Sequence, residues 1–249
     1  MIITKDIKMA DVIHLNYFTL SVLNRFGIEL GFGDKSVKEV CYQYGVDVDF
    51  FLEIVNTFVD HDYFPKKHLQ SFPVKLITDY LQKTHNDYHT IKVPEIESLI
   101  EKMVDTCFTQ KDNIVLLKRF FNEYKQELEN HTEREEEVVF PYTLAIENAY
   151  NSSRIDQSVM DLMETYSIDV FENEHDNIEE KLFDLKNIII KYLPQPKDLK
   201  LCNKLLHELF SLEQDLNDHA RIEEKVLVPK IREMEQIIAK RFSEENNDA

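Results

Sequence analysis

From about residue 73 onward, apolar positions recur in steps of three and four, the spacing of a single helical face. The longest stripe runs through Ile114, Leu117, Phe121, Tyr124, Leu128, His131, Glu135, Val138, Tyr142, Ala145 and Ala149. Three shorter ones accompany it. They are Val74, Ile77, Leu81, His85 and Tyr88; His175, Ile178, Leu182, Leu185, Ile189 and Tyr192; and Leu209, Leu212, Leu216, His219, Glu223 and Val226. The pattern predicts four long helices over roughly 74–108 (interrupted near Pro94), 111–150, 155–192 and 197–242. Four amphipathic helices joined by short connections fold as an up-down four-helix bundle.

Upstream the elements are shorter. Met9 to Asn24 is amphipathic and stops at Gly27, and Ser36 caps a helix through Cys41 to Tyr44 that Gly45 ends. Asp47 opens another through Phe50, Leu52 and Val55, whereas Asp60 to Pro73 holds two prolines and no sustained period. The reading is an all-α chain: a small helical N-terminal domain over 1–59, a linker over 60–72 and the bundle over 73–249.

Composition agrees, with four Gly and seven Pro in 249 residues and 43% hydrophobic residues. The net charge of −18 repels phosphate backbones, which argues against nucleic acid as a partner. No apolar run reaches the ~18–20 residues of a membrane span, and MIITKDIKMA lacks a signal peptide's hydrophobic centre. Three widely spaced cysteines (Cys41, Cys107 and Cys202) suit a reducing, cytoplasmic setting rather than a disulfide framework. A homodimer is left open.

Each stripe carries one histidine, and two carry His-xxx-Glu. Residues four apart share a helical face, so His131/Glu135 and His219/Glu223 each aim an imidazole and a carboxylate at one point. Glu136 and Glu224, five residues after the histidines, are expected to face solvent. His85 and His89 compete on the first helix, and the stripe favours His85. An internal repeat supports the set: 128–141 (LENHTEREEEVVFP) matches 216–229 (LNDHARIEEKVLVP) at six of fourteen positions, the offset from His131 to His219 being 88. His85 and His175 are 90 apart, so each half contributes one His and one His-xxx-Glu. Pro141 and Pro229 fall at the same phase in the two copies and are expected to bend or end their helices.

Two carboxylates and four imidazoles in an apolar core would each cost several kcal/mol without partners, and divalent cations satisfy them all. His85, His131, Glu135, His175, His219 and Glu223 are therefore expected to hold two metal ions bridged by carboxylates. The donor set suits iron, manganese or zinc, and a bridged pair in a bundle core favours iron. No Ser/His/Asp arrangement or phosphate-binding glycine loop points to hydrolysis or group transfer.

These motifs resemble hemerythrin-like (HHE) bundles, and specifically the repair-of-iron-centres di-iron proteins. The resemblance rests on His131-xxx-Glu135 with Phe140-Pro141, Glu174-His175-Asp176, and His219-xxx-Glu223 with Val228-Pro229. It extends to the N-terminal segment from Val22 to Val55, although Gly31-Phe32-Gly33-Asp34 stands where that family carries adjacent cysteines. The His-xxx-His pair of oxygen-carrying hemerythrins is missing, since Glu179 follows His175 by one turn. The resemblance implies an oxo- and carboxylate-bridged di-iron centre that serves repair of iron–sulfur clusters under nitrosative or oxidative stress. The chemistry would be iron donation or reaction with diatomic gases, nitric-oxide reduction included, and damaged iron–sulfur proteins would be the partners. An oxygen or nitric-oxide sensor or scavenger is the alternative.

Overall fold

The computed structural model describes residues 2–60, 62–106, 111–173, 178–193 and 195–247. Every named element among them is helical, with one isolated bridge between Lys8 and Ser36. The contact pattern divides the chain into two compact units. One gathers the chain up to Thr84 with Lys225–Leu227, and the other gathers His85–Glu224 with Val228 onward.

The first unit contains α1 (Met9–Leu15), α2 (Thr19–Arg25), α3 (Val37–Tyr44), α4 (Val48–Val59), α5 (Lys66–Leu69) and most of α6 (Val74–Asp87). Its caps are local chemistry. Ser36 and Glu39 form a reciprocal capping box, Asp47 accepts the Phe50 amide, and Gly45 ends α3 at φ +67°. The single amphipathic helix expected over Met9–Asn24 is divided at Asn16. There the Asn16 side chain takes the Phe18 amide and donates to the Phe58 carbonyl, so side-chain bonds replace a helical turn. Val12, Val22, Leu23, Val40, Phe50, Phe51 and Ile54 fill the core, with Phe26 packed edge-on to Phe50 and Phe51. In the 60–72 stretch, α5 forms and Leu69 and Phe72 are buried.

The second unit is built from α7 (Val93–Thr106), α8 (Lys111–Arg134), α9 (Phe140–Asn151), α10 (Gln157–Thr165), α11 (Ile168–Asn173), α12 (Ile178–Asn187), α13 (Leu199–Ile222) and α14 (Val228–Asn247). α7 packs on α8 and α13, α12 packs on α8 and α13, and α9 packs on α14. Consecutive helices are thus neighbours round a cycle, the up-down arrangement. Leu117, Phe121, Leu128, Leu182, Leu185, Leu205, Leu209 and Leu212 interdigitate in the centre, each contributing about 1.5–3 kcal/mol by burial.

Among the described residues, four π-helical turns interrupt the α-helices, at Tyr88–Lys92, Glu135–Val139, Ile188–Tyr192 and Glu223–Leu227. In every case the sixth residue after the turn's first is a proline: Pro94, Pro141, Pro194 and Pro229. Proline has no amide to donate, and its ring clashes with the carbonyl four residues back. A wider turn avoids both problems, and the preceding amide reaches back five residues, as from Phe140 to Glu135 and from Val228 to Glu223. Pro94 therefore does not interrupt the first long helix; a π turn absorbs it. The widened turns also move the buried face. Val138, expected in the core, is 43% exposed while Val139 is buried, and Tyr192 is 73% exposed. Ile146 is buried where Ala145 was expected to be.

The third long helix is not continuous, because Tyr166 is extended (φ −147°, ψ 139°) between α10 and α11. Buried Glu235 on α14 explains the restart. It accepts the Ile168 amide at 3.0 Å and the Tyr142 hydroxyl, and Arg232 on the same helix pairs with Asp169 and Glu172. Glu235→Ala leaves a buried amide and a buried hydroxyl unsatisfied, which costs about 2–4 kcal/mol. Urea unfolding should show that loss, and hydrogen exchange should show faster exchange at the Ile168 amide.

Candidate metal centre

Ligand atoms converge at one level of the second unit. His85, Glu135, His219 and Glu223, all buried, each offer a nitrogen or oxygen within 4.8 Å of the others'. His85 Nε2 lies 3.1 Å from His219 Nε2 and 3.1 Å from Glu135 Oε2. His219 Nε2 is 3.0 Å from Glu223 Oε1 and 3.9 Å from Glu135 Oε2. On the other side of the Glu135 carboxylate, His131 Nε2 stands 2.9 Å from Oε1.

The structure thus joins five of the six residues expected as ligands. His175, and with it the Glu174-His175-Asp176 motif, lies outside the described residues, as does Cys107. His89 is elsewhere: its Nε2 is 2.7 Å from the Thr132 hydroxyl, half-buried, which resolves the choice between His85 and His89 as the cluster's member. His14 and His207 are exposed, and His68 faces Glu53 at 2.6 Å.

The local sequence explains the aim. His131 and Glu135, and His219 and Glu223, are i, i+4 pairs at the ends of α8 and α13, where the π turns begin. Phe140, just past the first turn, stacks on the His85 ring at 5.6 Å and 14°. Tyr88 meets His219 edge-on at 6.0 Å.

Glu136 was expected in solvent. Instead its Oε1 lies 2.9 Å from His85 Nδ1, with the side chain only 32% exposed. On a straight α-helix a residue five positions on has rotated away from the face, so helical spacing hides this contact. The signal was the proline five residues after Glu136, which forces the widened turn.

Both Glu135 oxygens are buried without a hydrogen bond among the described residues, although imidazole nitrogens approach to 2.9 and 3.1 Å. His219 Nδ1 likewise has none. Lone pairs that face a common centre at the wrong angles for hydrogen bonds are arranged as ligands. Two donors about 2.1 Å from one ion and at right angles stand about 3.0 Å apart, which fits the 3.0–3.1 Å separations here. The donor set therefore fits a cation, and one ion would be met by His85, His219, Glu135 and Glu223.

Without a metal the same groups must share protons. Burial by itself lowers the His219 pKa, but Glu223 and Glu135 outweigh it and raise it to about 10. His85 is raised as well, where Glu135 and Glu136 overcome the effect of burial. Burial alone would raise Glu135, yet His131, His219 and His85 hold it well below the usual carboxylate range.

A buried set of nitrogen and carboxylate donors in the core of an antiparallel helical bundle defines a cation-binding bundle protein. Residues 81–231, more than half the chain, match the hemerythrin HHE cation-binding domain, and the chain belongs to that family. It is also similar to the iron-sulfur cluster repair protein ScdA of Staphylococcus haemolyticus, at 19% identity over 92% of this chain and 99% of the relative. The iron-sulfur cluster repair proteins YtfE of Salmonella paratyphi B and Salmonella newport are each 23% identical over 80% of this chain and 83% of theirs. No helix among the described residues is long and apolar enough to cross a membrane.

The proton sharing has a measurable sign in the metal-free protein. A histidine raised from 6.5 to about 10 stabilises the fold below pH ~6.5, and the contribution is lost as pH rises through 10. A depressed Glu135 contributes above pH ~4.5 and loses its contribution as pH falls through its lowered pKa. Urea midpoints measured with chelator present should therefore fall between pH 6.5 and 10. With a divalent cation bound to neutral imidazoles the fall should be much smaller.

Proposed function

We propose that the chain is a di-iron protein that helps restore iron–sulfur clusters damaged by nitric oxide or oxidants. The observation that carries this reading is the convergence of ligand atoms of His85, Glu135, His219 and Glu223 within 4.8 Å of one another, with both Glu135 oxygens left without hydrogen bonds among the described residues. The similarity to iron-sulfur cluster repair proteins, which align over most of this chain, supports the step from metal site to repair.

In this reading His85, His131, Glu135, His175, His219 and Glu223 would hold two irons. An iron pair supplies electron transfer and open coordination positions for a diatomic gas. The protein's own part is to aim the donors and exclude bulk water. The buried rings of Tyr88 and Phe140, packed against His219 and His85, do the excluding. Manganese or zinc would fit the same donors.

Residues 1–59 serve as a helical accessory domain, 60–72 as its connector and 73–249 as the metal-holding bundle. Thiol chemistry is not assigned to the accessory domain. Gly31 and Phe32 stand where the resembling proteins have cysteines, and burial together with Asp47 pushes the Cys41 thiol up to about 12. Three widely spaced cysteines and the kind of target support a cytoplasmic setting for this activity.

The test compares recovery of an iron–sulfur enzyme inactivated by nitric oxide in the presence of wild-type protein or the Glu135→Leu/Glu223→Leu double variant. Wild type should carry about two irons per chain and accelerate recovery, while the variant should carry little iron and leave recovery at background. Equal recovery with both proteins would sink the repair role.

A further inference from the structure

We propose that Glu136 is a positioning residue for the metal centre: its carboxylate accepts the Nδ1 proton of His85 and so fixes which imidazole nitrogen faces the metal. This rests on the metal-binding reading of the site and adds a seventh residue to it.

Three contacts, all from one stretch of chain, set the His85 ring. Phe140 stacks on it and fixes its plane, Glu136 Oε1 stands 2.9 Å from Nδ1, and Glu135 Oε2 stands 3.1 Å from Nε2. Glu135 lies in the buried cluster, while Glu136 reaches the ring from the rim, with its side chain 32% exposed. A neutral imidazole carries one proton, and the carboxylate beside Nδ1 claims it there. The Nε2 lone pair is then left pointing at His219 Nε2, Glu135 and Glu223. A carboxylate on the far side of a ligating imidazole fixes its tautomer, locks its orientation and raises its basicity, and losing such a partner costs about 10–100-fold in metal affinity.

The π turn is what delivers Glu136. The Glu135–Val139 turn presents two consecutive acidic side chains to the same imidazole, one on each ring nitrogen. Pro141 imposes that turn, so a residue beyond the turn's end shapes the support of the ligand. Among the described residues no group is hydrogen-bonded to the buried Nδ1 of His219, which faces His85.

The experiment is anaerobic titration of metal-free wild type, E136L and E136Q with Fe²⁺, and separately with Zn²⁺, against a chromophoric chelator. Circular dichroism of each metal-free protein establishes that it is folded. E136L should bind its tighter equivalent about 10–100-fold more weakly while still reaching the wild-type stoichiometry at excess metal. E136Q, which keeps an acceptor oxygen beside Nδ1, should lie closer to wild type than E136L. Long-range ¹H–¹⁵N spectra of zinc-loaded wild type should show His85 protonated at Nδ1 and bound through Nε2. Equal affinities for wild type and E136L overturn the proposal and leave the metal reading intact. A zinc-loaded His85 protonated at Nε2 also overturns it, whether or not E136L folds. Failure of wild type to take up either metal overturns the metal reading together with this one, and E135L/E223L measured alongside tells the two failures apart.

Discussion

Two carboxylates at the dry centre of a helical bundle constrain everything around them. Glu135 and Glu223 are almost wholly buried, on helices whose inward positions are mostly apolar. An ionised carboxylate in such a place costs several kcal/mol unless positive charge is brought to it. His85 and His219, both raised in pKa, bring that charge in the metal-free protein, and with His131 they stand as co-ligands for a cation. A merely structural polar layer would orient its N–H groups along hydrogen bonds. Here both Glu135 oxygens miss that geometry, which is why the cluster reads as donors to an ion rather than to each other.

The prolines carry the second constraint. Straight α-helices would hold the i, i+4 pairs on a face but would turn the next residue away from it. By replacing an α turn with a π turn next to each pair, Pro141 and Pro229 leave the ligands in place and re-aim the side chains just beyond them. Phe140 comes to lie on His85, Val139 rather than Val138 enters the core, and Glu136 reaches the imidazole. The same residue that looks like a helix breaker in the sequence is thus part of how the site is shaped.

The same two constraints decide which features were legible in the sequence. His85, Glu135, His219 and Glu223 were readable because each continues an apolar 3–4 stripe in which a polar residue is out of place. The capping Ser36 and Asp47 were readable because caps act over three residues. The features that failed to show depended on distant partners or on phase. The break at Tyr166 needs Glu235, which meets Ile168 across 67 residues of chain. The split at Asn16 needs the Phe58 carbonyl, 42 residues on. Glu136 was invisible for a subtler reason, since helical arithmetic assumes 3.6 residues per turn at the one place where the turn is wider.

The repeat suggested two equivalent halves, and the structure shows where equivalence ends. The backbone honours it, with matching π turns that begin at Glu135 and Glu223, 88 residues apart. The side chains do not. Glu136 reaches the far nitrogen of His85, whereas its counterpart in the second copy, Glu224, is exposed, and the Nδ1 of His219, which faces His85 at 3.1 Å, has no hydrogen bond among the described residues. Two donors can therefore meet the same ion with unequal stiffness: one ring is locked by Glu136 and Phe140, the other is held mainly by packing and by Glu223. A duplicated helical hairpin fixes how many ligands converge, but the unduplicated neighbours fix how firmly each one is held.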